Sequence, residues 1–125
     1  ADLTLITYGM THYYALKAAQ IVAADGIDTE VIDLRTLLPI DRETILQSVS
    51  KTGKALIVHE DNLTGGYGAE IAAILAEYAF TDLDAPVRRL AGPDVPAVPF
   101  SHPLQDWFMP NPEKIAAAIC ELAAF

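Results

Sequence analysis

Apolar positions along this chain switch repeatedly between two periods. Residues 3–8 (LTLITY) form a β-branched-rich apolar run closed by Gly9, which predicts a largely buried strand. Over residues 11–25 the apolar positions move to helical spacing at Ala15, Ala18, Ala19 and Val22, and Gly26 supplies a stop. Residues 29–34 (TEVIDL) return to strand character. Pro39 then breaks the chain and Asp41 can cap a helix running through Lys51, with Ile45, Leu46 and Val49 turned inward. Residues 55–59 (ALIVH) are apolar almost throughout, as expected of a strand covered on both faces.

The second half repeats the alternation. After a glycine-rich loop, Ile71, Ile74, Leu75 and Tyr78 recur at i, i+3, i+4 and i+7, which predicts a helix, and residues 87–91 supply a fourth strand. Six prolines between Pro93 and Pro112 exclude a long regular element there and predict an ordered surface loop or docking arm. Asn111 as N-cap, Pro112 at the first helical position and Glu113 in the first turn start a last helix with Ile115, Ala118, Ile119 and Leu122 inward. Strands alternating with helices predict an α/β fold, a mostly parallel sheet between helical layers joined by right-handed crossovers. Without an internal repeat or linker, residues 1–125 read as a single domain.

Charge narrows the partners. Eight Lys plus Arg against seventeen Asp plus Glu give a net charge of −9, which disfavours nucleic acid and suits a basic partner surface. A single cysteine, Cys120, excludes an intrachain disulfide framework, and its place beside the inner face of the last helix predicts a small packing residue. No apolar stretch approaches the ~20 residues needed to span a bilayer, and the acidic start lacks a signal-peptide pattern. A cytoplasmic chain without a membrane partner is therefore expected.

Ligands of open α/β sheets gather at the carboxyl ends of strands, here Tyr8-Gly9, Asp33-Leu34-Arg35 and His59-Glu60-Asp61. His59 and Glu60 are a base beside a carboxylate, yet strand neighbours point to opposite faces, so a structural or interface role is expected. His12, His59 and His102 lack metal-ligand spacing. Thr64-Gly65-Gly66-Tyr67-Gly68 leads into a helix N-terminus that could hold an anion, but Ile71 occupies the third glycine position of the dinucleotide-binding spacing. Close helix-to-sheet packing is the stronger reading of these glycines. Arg88 and Arg89 should face opposite sides, one pairing internally with a carboxylate and the other facing outward. No complete catalytic constellation emerges from the residues themselves.

In their order, Asp33-Leu34-Arg35-Thr36-Leu37-Leu38-Pro39-Ile40-Asp41, Val58-His59-Glu60-Asp61, Thr64-Gly65-Gly66-Tyr67-Gly68-Ala69-Glu70-Ile71, Leu83-Asp84-Ala85-Pro86-Val87-Arg88-Arg89, Ala91-Gly92-Pro93-Asp94-Val95-Pro96 and Met109-Pro110-Asn111-Pro112-Glu113-Lys114-Ile115 are distinctive. Through them the chain resembles the C-terminal domain of a 2-oxo acid dehydrogenase E1 β subunit, of the transketolase-like group, over essentially its whole length. The resemblance implies a three-layer α/β/α sandwich with a mixed sheet of about five strands, one antiparallel. The fifth strand would lie near residues 106–109.

The resemblance also implies a fragment of a longer β chain, inactive alone. In the intact enzyme thiamine diphosphate and magnesium are held between an α subunit or α portion and the N-terminal part of β, so no catalytic, cofactor or metal residue is expected here. The implied partners are that α portion, a second β subunit and the basic peripheral-subunit-binding domain of E2. The family's docking groups, an acidic residue before Ala-Pro and the terminal carboxylate, map onto Asp84 and Phe125. His59, Glu60, Gly65 and Gly66 are the candidates for a subunit interface. The intact complex would oxidatively decarboxylate a 2-oxo acid and acylate E2 lipoyl groups. His59-Glu60 with Leu63-Thr64-Gly65-Gly66 is closer to branched-chain members. Pyruvate or acetoin dehydrogenases, deoxyxylulose-phosphate synthase and, from a different class, a stand-alone anion-binding module are the alternatives.

Overall fold

The structure, a computed structural model, describes residues 1–94 and 109–125. Strands β1 (Leu3–Thr7), β2 (Thr29–Asp33), β3 (Ala55–Asn62) and β4 (Arg88–Gly92) alternate with helices α1 (Thr11–Ala23), α2 (Arg42–Thr52) and α3 (Tyr67–Tyr78), and α4 (Pro112–Ala123) closes the chain. The strand order is β2-β1-β3-β4, with every pairing parallel. Parallel neighbours require crossovers over a face of the sheet, and the helices are those crossovers.

Period-two alternation along the central strands divides the core between two faces. Leu3 and Leu5 of β1 with Leu56 and Val58 of β3 pack against Ala15, Ala18 and Val22 of α1 and Ile115, Ile119 and Leu122 of α4. On the opposite face Ile6, Ala55 and Ile57 meet Ile45 and Val49 of α2 and Ile71 and Leu75 of α3. The result is three layers. A buried polar cluster sits within the second face, where the Thr4 hydroxyl bonds those of Ser48 (2.7 Å) and Thr52 (2.8 Å). Such groups are tolerated inside because they satisfy one another.

Helix starts follow their cap residues. Asp41 accepts from the Thr44 N–H at 3.2 Å, and Asn111 accepts from the Lys114 N–H at 2.8 Å with Pro112 following it. Helix α2 ends at Gly53, whose φ of +73° is the left-handed conformation that glycine adopts without a Cβ clash.

Several expectations change. Among the described residues the sheet has four strands, all parallel; the fifth strand expected near residues 106–109 lies outside the described residues apart from Met109, which is in a bend. The expected loop or docking arm of residues 93–112 also lies mostly outside them. β3 runs three residues past His59 because its outer end is exposed and polar, which conceals strand character from an apolar-run reading. In α4 Ala118 packs half-buried on the core as expected, and Ala116, not expected inward, is buried more deeply. Cys120 is exposed and packs no core. Among the described residues neither Arg88 nor Arg89 forms an internal pair with a carboxylate: Arg89 donates to the Leu63 carbonyl at 2.8 Å, and both arginines are exposed at the polar start of β4.

Candidate functional site

Polar chemistry collects at the two ends of the sheet. At the carboxyl end the strand order reverses direction between β1 and β3, the place where doubly wound sheets open a ligand crevice. Here the crevice is filled from within. The Tyr8 ring stacks on His59, with centroids 5.7 Å apart and planes at 16°, and meets Tyr67 edge-on at 6.4 Å. The Tyr8 hydroxyl donates to Asp61 at 2.8 Å, and the Tyr67 hydroxyl to the Leu37 carbonyl at 2.6 Å. Burial and then the Asp61 hydrogen bond raise the Tyr8 phenol above its ordinary pKa. It is held as a neutral donor, unsuited to general-base work.

The glycine-rich loop closes over the same imidazole. Gly66 has ordinary extended backbone, yet a Cβ there would stand 2.2 Å from the Asn62 carbonyl oxygen and 2.7 Å from His59 Cε1. At Gly68 a Cβ would stand 2.3 Å from His59 Nε2. Close approach to β3 therefore explains two of the three loop glycines, and the positive φ of +77° explains Gly65. The start of the loop already holds a carboxylate: the Thr64 N–H donates to Asp94 at 2.9 Å, and the Thr64 hydroxyl also binds that carboxylate and lowers its pKa.

His59 is fully buried, and neither ring nitrogen has an aligned hydrogen-bond partner among the described residues. Burial lowers its pKa, opposed in part by the nearby Asp61 carboxylate and backbone. The His59 side chain thus lies inside the domain, beneath the glycine loop. Glu60, one residue on, points the other way and reaches the surface; Gly65 is exposed, and Gly66 is half-buried. At the β2 end His12 Nε2 and Arg35 Nε lie 3.9 and 3.8 Å from Asp33, and Asp33 and Arg35 line an open groove of about 320 Å³ that also reaches Asp41 and Thr44. The Asp41 carboxylate there is occupied as an N-cap and its pKa lowered by Thr44. Among the described residues no cluster of three His, Cys, Asp or Glu could hold a metal ion.

The amino end of the sheet joins Asp84 and Phe125. The Asp84 N–H donates to the Gly53 carbonyl at 2.7 Å, and its carboxylate occupies the space that a Cβ on Gly53 would need. The next residue, Lys54, reaches the other way, donating through Nζ to the carbonyl oxygens of Ala123 (3.0 Å) and Phe125 (2.7 Å). Arg88 Cζ lies 5.6 Å from the Phe125 ring centroid, a cation–π distance. Two consecutive residues thus carry the two expected docking groups. Sequence reading missed Gly53 and Lys54. The helix-stopping glycine after Lys51 was a usable signal for the first, whereas Lys54 meets partners 69 and 71 residues away and leaves no local trace.

A family model described as "Transketolase, C-terminal domain" matches residues 1–115. The chain belongs to the transketolase C-terminal domain family. This domain is 50% identical, over 99% of its length, to the 2-oxoisovalerate dehydrogenase subunit beta of Bacillus subtilis (strain 168). It is 42% identical over 94% to the pyruvate dehydrogenase E1 component subunit beta of Rhizobium meliloti (strain 1021). Among solved structures, a split-gene transketolase in an inactive β4 tetramer superposes with a TM-score of 0.83 at 29% identity, over 98% of this chain. The chain spans 38% of the Bacillus subunit, 25% of the Rhizobium subunit and 38% of the split-gene transketolase. Among the described residues no helix is long and apolar enough to cross a membrane.

Proposed function

We propose that this domain is the assembly and docking part of the β subunit of a thiamine-diphosphate-dependent 2-oxo acid dehydrogenase E1 component. The observation that carries the reading is that Asp84 and Phe125 bond to the consecutive residues Gly53 and Lys54 at the amino end of the sheet, opposite the end where the crevice is filled. An exposed carboxylate at the same end of the sheet as an exposed aromatic, on a chain of net charge −9, suits a basic partner domain such as the E2 peripheral-subunit-binding domain. At the other end, half-buried Glu60 and exposed Gly65 are the residues available to a second β subunit or an α portion. His59 and Gly66 shape that surface from below.

Thiamine diphosphate and its magnesium would supply the decarboxylation chemistry in the intact enzyme. The residues described here do not fit that group: the crevice is occupied by the Tyr8–His59 stack, and the glycine loop is closed on His59. No reaction step is assigned to this domain.

Branched-chain 2-oxo acids are the favoured substrates, on the 50% and 44% identities to two 2-oxoisovalerate dehydrogenase β subunits. Pyruvate is the second reading, from the 42% and 46% identities to pyruvate dehydrogenase β subunits. The test is reconstitution of the full-length protein with its α partner and E2, assayed on 2-oxoisovalerate, pyruvate and acetoin. Preferred turnover of 2-oxoisovalerate, with acyl transfer to E2 reduced by Asp84→Ala, is expected. Equal transfer by the variant at limiting E2 would contradict docking through Asp84.

A further inference from the structure

The last turn of a helix leaves carbonyls without intrahelical partners, and at the end of α4 the chain itself satisfies the Leu122 carbonyl, through the Ala124 and Phe125 N–H groups. Lys54 reaches over from the amino end of the sheet, donating to the carbonyls of both Ala123 and Phe125. Its base is rigid. Gly53 before it caps α2, with its N–H on the Val49 carbonyl at 2.8 Å, and Ala55 after it begins the buried strand β3. The Lys54 carbonyl itself accepts from the Thr4 N–H at 2.9 Å.

We propose that Lys54 is the positioning residue of the docking end of the sheet, pinning the chain at Phe125 so that its ring and main chain stand in one place relative to Asp84 for a cation-bearing partner domain. The proposal rests on the docking reading above. Arg88 supports it from the outer side, but its stacking on the ring at 5.6 Å sets the distance of the ring and not the path of the backbone. Without Lys54 the backbone after Ala123 keeps only ties to its own helix end, the Ala124 N–H and the Phe125 N–H (3.2 Å) on the Leu122 carbonyl. A partner would then have to order the segment on binding, at a cost in affinity.

A double-mutant cycle on the full-length assembled protein separates this role from simple helix capping. Calorimetric titration with a basic E2 peripheral-subunit-binding domain would be run for wild type, Lys54→Met, Lys54→Arg, Phe125→Ala, Lys54→Met with Phe125→Ala, and Asp84→Ala. Lys54→Met should weaken binding about tenfold, a loss of order one ordered segment, and Lys54→Arg should retain most of the affinity. In the Phe125→Ala background the added effect of Lys54→Met should shrink to about twofold or less, because coupled residues are not additive. Equal effects of Lys54→Met in both backgrounds, or a lowered melting temperature at unchanged affinity, would overturn the positioning role. If Asp84→Ala still weakened binding in that case, the docking reading would stand. Absence of wild-type binding, or indifference to Asp84→Ala, would overturn both.

Discussion

His59 is the residue whose chemistry most constrains its neighbours. Its imidazole is buried without an aligned partner, so the neutral form is favoured and its pKa lies below the ordinary value of about 6.5. The unfolded chain then binds the proton more readily than the folded one, and stability contributed by this site is present above about pH 6.5 and lost as pH falls below it. Replacing His59 by Phe keeps a ring against Tyr8 and removes the titration. Urea unfolding should show that the gap in stability between pH 7.5 and pH 5.5 is smaller in the variant, by no more than the ~1.4 kcal/mol per pH unit that one proton can contribute. An unchanged gap would mean that His59 is not the group responsible. Gly68→Ala drives a methyl into the same ring and should destabilise by about 1–3 kcal/mol, measured by the same unfolding experiment. The opposed faces of His59 and Glu60 were legible in the strand period. What lies beneath the glycines was not, because spacing alone does not distinguish a ligand cradle from a close approach of backbone to side chain.

Among elements, the helices were the most legible, since each carries an apolar stripe and α2 and α4 also begin at a capping side chain, Asp41 and Asn111. Asn111→Ala removes the acceptor for the Lys114 N–H and should cost about 1 kcal/mol in thermal unfolding. Ile119→Ala, buried between α4 and the sheet, opens a cavity and should cost about 2–5 kcal/mol. Comparable losses for both would argue against the packing described for α4. Strand ends were harder to read. The outer residues of β3, Glu60 to Asn62, follow a register irregularity after Val58 and rejoin β4 where Asn62 pairs with Gly92, a long-range interaction that polar residues do not advertise. Ala116 and Ala118 differ in burial because the stripe of α4 is set by where α1 lies against it, which is a property of the assembled layers.

For the whole molecule, the two ends of the sheet are built differently. The carboxyl end, where folds of this type bind ligands, is stoppered by Tyr8, His59 and Tyr67, while the amino end presents Asp84 and the Phe125 segment fixed by Gly53 and Lys54. Charge in the sequence indicated a basic partner, but only the fold shows that groups 41 residues apart in the chain, Asp84 and Phe125, share one end of the sheet. The most direct measurement of the docking account is calorimetric titration of the full-length assembled protein with the basic E2 domain, comparing wild type with Asp84→Ala. Saturable binding that weakens by about 2–5 kcal/mol in the variant is predicted if the carboxylate meets a desolvated cation. Wild-type binding that is absent, or that Asp84→Ala leaves unchanged, would contradict it.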